Sequence, residues 1–178
     1  MGLDMYILLY NKVEGWTEKE YNEISNLVCR LDINQYDNDP LKVNLSSLSI
    51  DKTGVENLSV HKRGECVHWF DVCQQVGYWR KSNHIHRWFV KNVQKGVDDC
   101  GYYFVSIDQL SKLLDICERV LDNFIDAPKL LPNQSGFFFG NTKYNEDYLD
   151  DVKKTKNIIL SLEELELDHK VLIYHSSW

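Results

Sequence analysis

Side chains able to do chemistry are densest in YWRKSNHIHRWFVKN, from Tyr78 to Asn92. If this stretch is helical, Arg80, His84, Arg87 and Lys91 fall within roughly 40° of one line, a narrow basic stripe. Guanidinium forks bind phosphate or carboxylate through paired hydrogen bonds, and an imidazole between them adds a donor or a proton carrier. Trp88 lies about 80° from Arg80 on the same wheel, close enough to stack on a ring or a base. Arg80, His84, Arg87, Trp88 and Lys91 are therefore the candidate anion-binding set.

Other positions point to a pocket or a buried polar network. His86 falls in the apolar arc of the same wheel and reads as a hydrogen-bonded core histidine, with Asn83 at the border of that arc. Phe137, Phe138 and Phe139 stand between Gly136 and Gly140. Three adjacent aromatics cannot share one face of a strand, so at least one packs on another element or lines a pocket. Asp4, just ahead of a hydrophobic run, is placed to cap a turn or to point into a site.

Several chemistries find little footing. His84 and His86 point about 200° apart on a helix, unlike the i,i+4 pair of a helical zinc site, and Cys66, His68 and Cys73 match no zinc spacing. No metal and no cofactor is predicted. The five cysteines contain no CxxC pair and read as free thiols of a reducing compartment. Cys66 or Cys100 meets a histidine only if the fold brings them together. No G-x-S-x-G, P-loop or G-x-G-x-x-G occurs, so catalysis ranks behind binding.

The elements that must position these residues follow from periodicity and capping. Met5–Tyr10 reads as a strand, and T-x-x-E at Thr17 and Glu20 opens a helix of about 17–31. Residues 32–60 hold turn material around Pro40 and read as an irregular or mobile connection, with a short strand near Glu56–His61. A short helix is expected over 65–76 and the central helix over 78–94, closed by Gly96. Tyr102–Val105 reads as a strand. Ser106 with Gln109 caps a helix of about 107–125, whose apolar face runs through Ile107, Leu110, Leu114, Cys117, Leu121 and Phe124 and is widened by Leu113 and Val120. The last helix, about 145–167, is followed by a closing strand at Val171–Tyr174 beside the first, and Trp178 anchors the end. The expectation is a single α+β domain over 1–178, with about four main helices and a small mixed or antiparallel sheet involving both termini.

Composition is that of a globular chain, 43% hydrophobic and 26% charged. A formal charge of −7 argues against general nucleic-acid binding. Residues 61–100 nonetheless carry seven Lys or Arg against four Asp or Glu, a local basic region. The N-terminal run is too short for a signal peptide and no apolar run approaches a membrane span.

The segments GLDMY, GYWRKSNHIHRWFVKNVQKGVDDC, GFFFGNTKY and the terminal SSW resemble a family of small bacteriophage and prophage proteins, over most of the chain. The resemblance implies a phage-associated setting in the host cell cytoplasm. It carries over no activity and no catalytic residue. The expected function is a binding protein for a host protein or a small anionic, nucleotide-like ligand. The alternatives are a small hydrolase or transferase acting on a phosphorylated substrate, and an oligomeric assembly protein.

Overall fold

The structure is a computed structural model, and it describes residues 2–23, 43–44, 66–67 and 73–178. The expectations for 32–42 and 45–60, including the strand near Glu56, lie outside those residues.

Six strands are described. Strand β1 is Asp4–Asn11, β2 is Val43–Asn44, β3 is Cys66–Val67, β4 is Gln74–Arg80, β5 is Tyr102–Val105 and β6 is Lys170–Ser177. Four of them form one sheet in the order β4-β1-β6-β5, and β2 pairs with β3 separately. The four-stranded sheet is antiparallel. Lys81 N donates to Leu3 O, so the end of β4 lies beside the start of β1, and Lys12 N donates to His169 O, so the end of β1 meets the start of β6. Strands β5 and β6 pair antiparallel with Tyr103 opposite Tyr174. Both terminal strands belong to this sheet and lie side by side, as the sequence predicts, and together they form its centre.

The helices are α1 (Asn83–Asn92), α2 (Ile107–Asp122), α3 (Ala127–Leu130) and α4 (Glu146–Glu163), and residues 18–23 are also helical. Helix α2 opens on a complete capping box: Gln109 N donates to Ser106 Oγ, and Ser106 N donates to Gln109 Oε1. Its buried seam is Leu110, Leu113, Cys117 and Val120, all on the expected face, while Leu114 and Leu121 at the other edge of that face are only half-buried. Helix α4 packs on α2 and buries Tyr148, Val152, Thr155, Ile159 and Leu162. Thr155 is the polar member of that seam because Trp79 Nε1 donates to its hydroxyl at 2.8 Å.

The central helix is shorter than predicted. Tyr78, Trp79 and Arg80 belong to β4, and α1 begins only at Asn83. Lys81 makes the break with φ of 59°, a left-handed conformation uncommon outside glycine. Gly77 explains the strand. A Cβ there would stand 3.2 Å from Ile158 and 3.3 Å from Ile7, so the close approach of sheet and α4 needs a glycine in mid-strand. The expected helix over 65–76 is likewise replaced where described, by β3 at 66–67 and the start of β4. Short apolar runs fit either period, and pairing with β1 decided this one.

By internal contacts the chain divides into two compact units. One comprises Met1–Ile7, Gln75–Glu166 and Leu172–Trp178, and the other Leu8–Gln74 and Leu167–Val171. The core of the first centres on α1 over the sheet, where Phe89 stacks on Tyr174 at 4.0 Å and 6° between planes. In the second, Tyr21 donates to Asn11 O and accepts from Val13 N, with its ring edge-on to Tyr10 and Trp16. At the turn before it, Glu20 takes the Thr17 N–H at 2.8 Å, half of the expected box.

Replacing Phe89 with Ala should lower the unfolding free energy by about 3–5 kcal/mol, because a fully buried ring leaves a cavity in a close-packed layer. Ser106→Ala should cost about 1 kcal/mol through the lost cap. Urea denaturation of both variants checks the ranking, and equal losses would contradict the placement of the core.

Candidate functional site

Two cavities flank α1 in the first unit, and His84 lines both. The larger encloses about 450 Å³ among the β4–α1 junction, the 133–145 segment and the first turns of α4. Its charged lining is Arg80, Lys81, Lys143, Asp147, Asp150 and Asp151. The smaller, about 190 Å³, is lined by Arg87, Lys91 and Lys129 over an apolar floor that includes Trp88, Ile116 and Leu131. Arg80 therefore parts company with Arg87, and the single basic stripe expected from sequence does not exist. The cause is the shift of residues 78–80 from helix to strand, which breaks the wheel on which they were aligned.

His84 departs most from expectation. It is not on a solvated stripe but 2% exposed, with its ring 4.1 Å from that of Tyr148. Burial pushes its pKa down to about 3, against a smaller opposing effect of the Asn133 side chain. The imidazole is accordingly neutral at physiological pH, and its Nε2 has no hydrogen-bond partner among the described residues. Trp88 also lines the smaller cavity but is largely buried, its ring edge-on to Phe89 at 5.2 Å. Arg87 is exposed and donates to Asn133 O at 3.0 Å, tying α1 to the segment that lines the larger cavity. Among the described residues neither Arg87 nor Lys91 is ion-paired with a carboxylate.

Asn83 and His86 are both buried polar residues, as expected, but in separate networks. Asn83 donates to Phe139 O at 3.1 Å and Asn141 O at 2.8 Å and accepts from Gln134 N at 2.9 Å. It pins the 134–141 segment to the start of α1. His86 lies between the Tyr174 hydroxyl, 2.8 Å from Nδ1, and Asp98, 3.0 Å from Nε2. A carboxylate only accepts, so Nε2–H donates to Asp98 and Nδ1 accepts from Tyr174, and every partner is satisfied by the neutral ring. Burial lowers the His86 pKa and the Asp98 carboxylate partly opposes it. The Tyr–His–Asp chain is fully enclosed at His86 and serves packing.

The aromatic triplet divides three ways. Phe139 is buried against His86 and Trp178, Phe138 is half-buried with its carbonyl accepting from Leu3 N, and Phe137 is 96% exposed. None of the three lines either cavity. Asp4 accepts from the Tyr78 hydroxyl, which raises the Tyr78 pKa, and it too lies outside both cavities. Trp178 anchors the C-terminus, donating to Asp98 at 3.2 Å.

Sequence reasoning missed Lys81, Lys129, Lys143 and the three aspartates of α4. The available signal was NTKYNEDYLDD, where asparagines and charges cluster just before and inside a capped helix start. Neither cavity is lined by a serine or cysteine among the described residues. Cys117 is buried, with its thiol pushed up to about 12 by burial. Among the described residues no group of three or more His, Cys, Asp or Glu is arranged to hold a metal ion, and no helix is long and apolar enough to cross a membrane.

Among protein-family models, curated proteins and solved structures, none matches this chain.

The buried histidine sets a pH dependence. Its folded pKa lies below the ordinary 6.5, so the folded chain binds fewer protons than the unfolded chain between pH 6.5 and about 3. The contribution is complete above 6.5 and is lost as pH falls, at up to about 1.4 kcal/mol per pH unit. Denaturant unfolding at pH 7 and 5.5 should show that loss in the native sequence and a smaller one in His84→Gln. An identical pH slope in the variant would show that His84 is not held neutral by burial.

Proposed function

We propose that the protein binds a small anionic ligand, or the anionic end of a larger one, in the cavity formed by His84, Arg87, Trp88, Lys91 and Lys129. The observation that carries this reading is a concavity lined by three cations and no carboxylate. Cations matched by neighbouring acids would mark an ordinary solvated helix face. Here the apolar floor lowers the local dielectric, which strengthens hydrogen bonds from a guanidinium to phosphate or carboxylate.

The size of the cavity bounds the ligand. About 190 Å³ falls below the roughly 300–1,000 Å³ of sites that enclose a whole drug-sized molecule. It fits a phosphoryl or carboxylate group with a small apolar neighbour, which suits the terminus of a nucleotide-like molecule or an acidic side chain of a partner protein. The likeness to phage proteins makes the host cytoplasm the proposed setting and a host molecule the proposed ligand.

The hydrolase or transferase alternative is less well supported. It needs His84 to exchange a proton near neutral pH and to work between Arg80 and Arg87. A pKa near 3 favours a fixed hydrogen-bonding role, and the two arginines line different cavities.

Calorimetric titration with inorganic phosphate and with nucleoside monophosphates tests the proposal. Binding is expected to weaken with added salt, and Arg87→Ala and Lys129→Ala should each lower affinity about 10-fold or more, as for loss of a charged hydrogen bond. Affinity unchanged in both variants, or no binding of any of these anions, would remove this cavity as the site.

A further inference from the structure

The larger cavity is independent of that reading, because its lining has a different charge pattern. Three cations and three carboxylates face about 450 Å³, for a formal sum of zero. Such a set would ordinarily collapse into ion pairs, yet none of the three cations is paired with any of the three carboxylates. Asp150 is instead bridged to Lys153 on its own helix at 2.9 Å, and Asp147 accepts from Asn145 at 3.1 Å. The charges are kept apart by the elements that carry them. Arg80 and Lys81 stand at the β4–α1 junction, Lys143 on the following loop, and the aspartates on the first two turns of α4.

The frame that holds the cationic wall is rigid. Lys81 is fixed in its left-handed conformation by its N–H to Leu3 O at 2.7 Å and its carbonyl to Asn83 N at 2.9 Å. Its side-chain stem runs past Gly140, where a Cβ would come within 3.1 Å of it, and Gly140 itself has φ of 84°. A glycine at 140 thus both makes the turn and leaves the lysine its channel. His84 lines the same cavity, 2% exposed, and its Nε2 has no partner among the described residues. A buried donor or acceptor left without a partner costs about 1–3 kcal/mol, so a ligand group that reached this nitrogen would recover that cost.

We propose that this cavity is a binding site for a small zwitterion, a molecule that carries a protonated amine and an acidic group. Its acidic group meets Arg80, Lys81 and Lys143, its ammonium meets the aspartates of α4, and His84 Nε2 takes a hydrogen bond. A ligand of one charge would be attracted by one wall and repelled by the other, whereas a zwitterion satisfies both. The volume suits a free α-amino acid or a phosphorylated amino alcohol.

The test is calorimetric titration of the full chain with the twenty standard α-amino acids and phosphoethanolamine, with acetate and ethanolamine as single-charge controls. Saturable binding of at least one zwitterion is expected, with acetate and ethanolamine each at least 10-fold weaker. Lys143→Gln and Asp147→Asn, both exposed positions, should each weaken that binding at least 10-fold without shifting the thermal midpoint. Lys129→Ala, in the other cavity, should leave it unchanged while it weakens phosphate there, so the two sites fail separately. Absence of binding by every zwitterion overturns the proposal. So do equal binding of acetate and insensitivity to both Lys143→Gln and Asp147→Asn.

Discussion

Tyr174 is the residue on which the arrangement of the first unit depends. It sits on a central strand, fully buried, and holds α1 twice. Its ring stacks on Phe89, and its hydroxyl is bonded to His86 one turn earlier on the same helix. The stack supplies apolar burial and the hydroxyl supplies direction, because a buried O–H tolerates few positions of its acceptor. Desolvation drives the Tyr174 pKa well up, so the hydroxyl stays protonated and keeps its donor role. His86 passes the constraint on to Asp98, and Asp98 to the indole of Trp178. One chain of hydrogen bonds thus fixes the helix rotation, the turn after it and the C-terminus. With α1 rotated this way, His84 points away from the sheet toward Tyr148, and both cavities open along its flank.

That rotation also determines which polar groups face solvent. Helix α1 is too short to bury an apolar face and still carry a four-residue basic stripe. It therefore buries Asn83, His84 and His86 with Ile85 and Phe89, and exposes Arg87, Lys91 and Asn92. Each buried polar group has to be matched, since an unmatched one costs more than a typical hydrogen bond returns. Asn83 and His86 are matched by protein groups. His84 Nε2 is not, and His84 is the one of the three that lines both cavities.

The parts of the fold legible from sequence were those in which local signals agree. Strand β5 and the box at Ser106 were placed from a β-rich run and a side-chain pair, and α4 from a regular apolar seam. Both terminal strands were legible as apolar runs, whereas the order and direction of the sheet were not, because no local signal fixes which strands pair. The start of α1 was not legible, because Tyr78–Arg80 fits a helical wheel as well as an alternating strand. What decides between them is the contact of Gly77 and Trp79 with α4, some 75 residues later in the chain. Misplacing three residues moved Arg80 to the wrong wall and hid the division into two cavities. His86 was legible because its wheel position was apolar whichever way the helix began. The role of Asn83 was half legible, since its partners lie on a loop that no periodicity describes. Lys143 and the α4 aspartates were invisible because a charge near a helix start is usually a solvated one.

Net charge and local charge act over different distances here. The chain carries −7, and at physiological salt that field is screened within about 8 Å. A polyanion such as nucleic acid approaches a broad surface and meets the acidic average, which disfavours it. A small anion that enters a concavity meets only the groups within a few ångströms, and along α1 those are Arg87, Lys91 and Lys129. An acidic exterior around a cationic recess therefore selects by size as well as by sign. The neighbouring recess is lined by both cations and carboxylates, so its net formal charge offers no such attraction to a lone anion. The His84 imidazole, held neutral by burial, adds no charge to either lining.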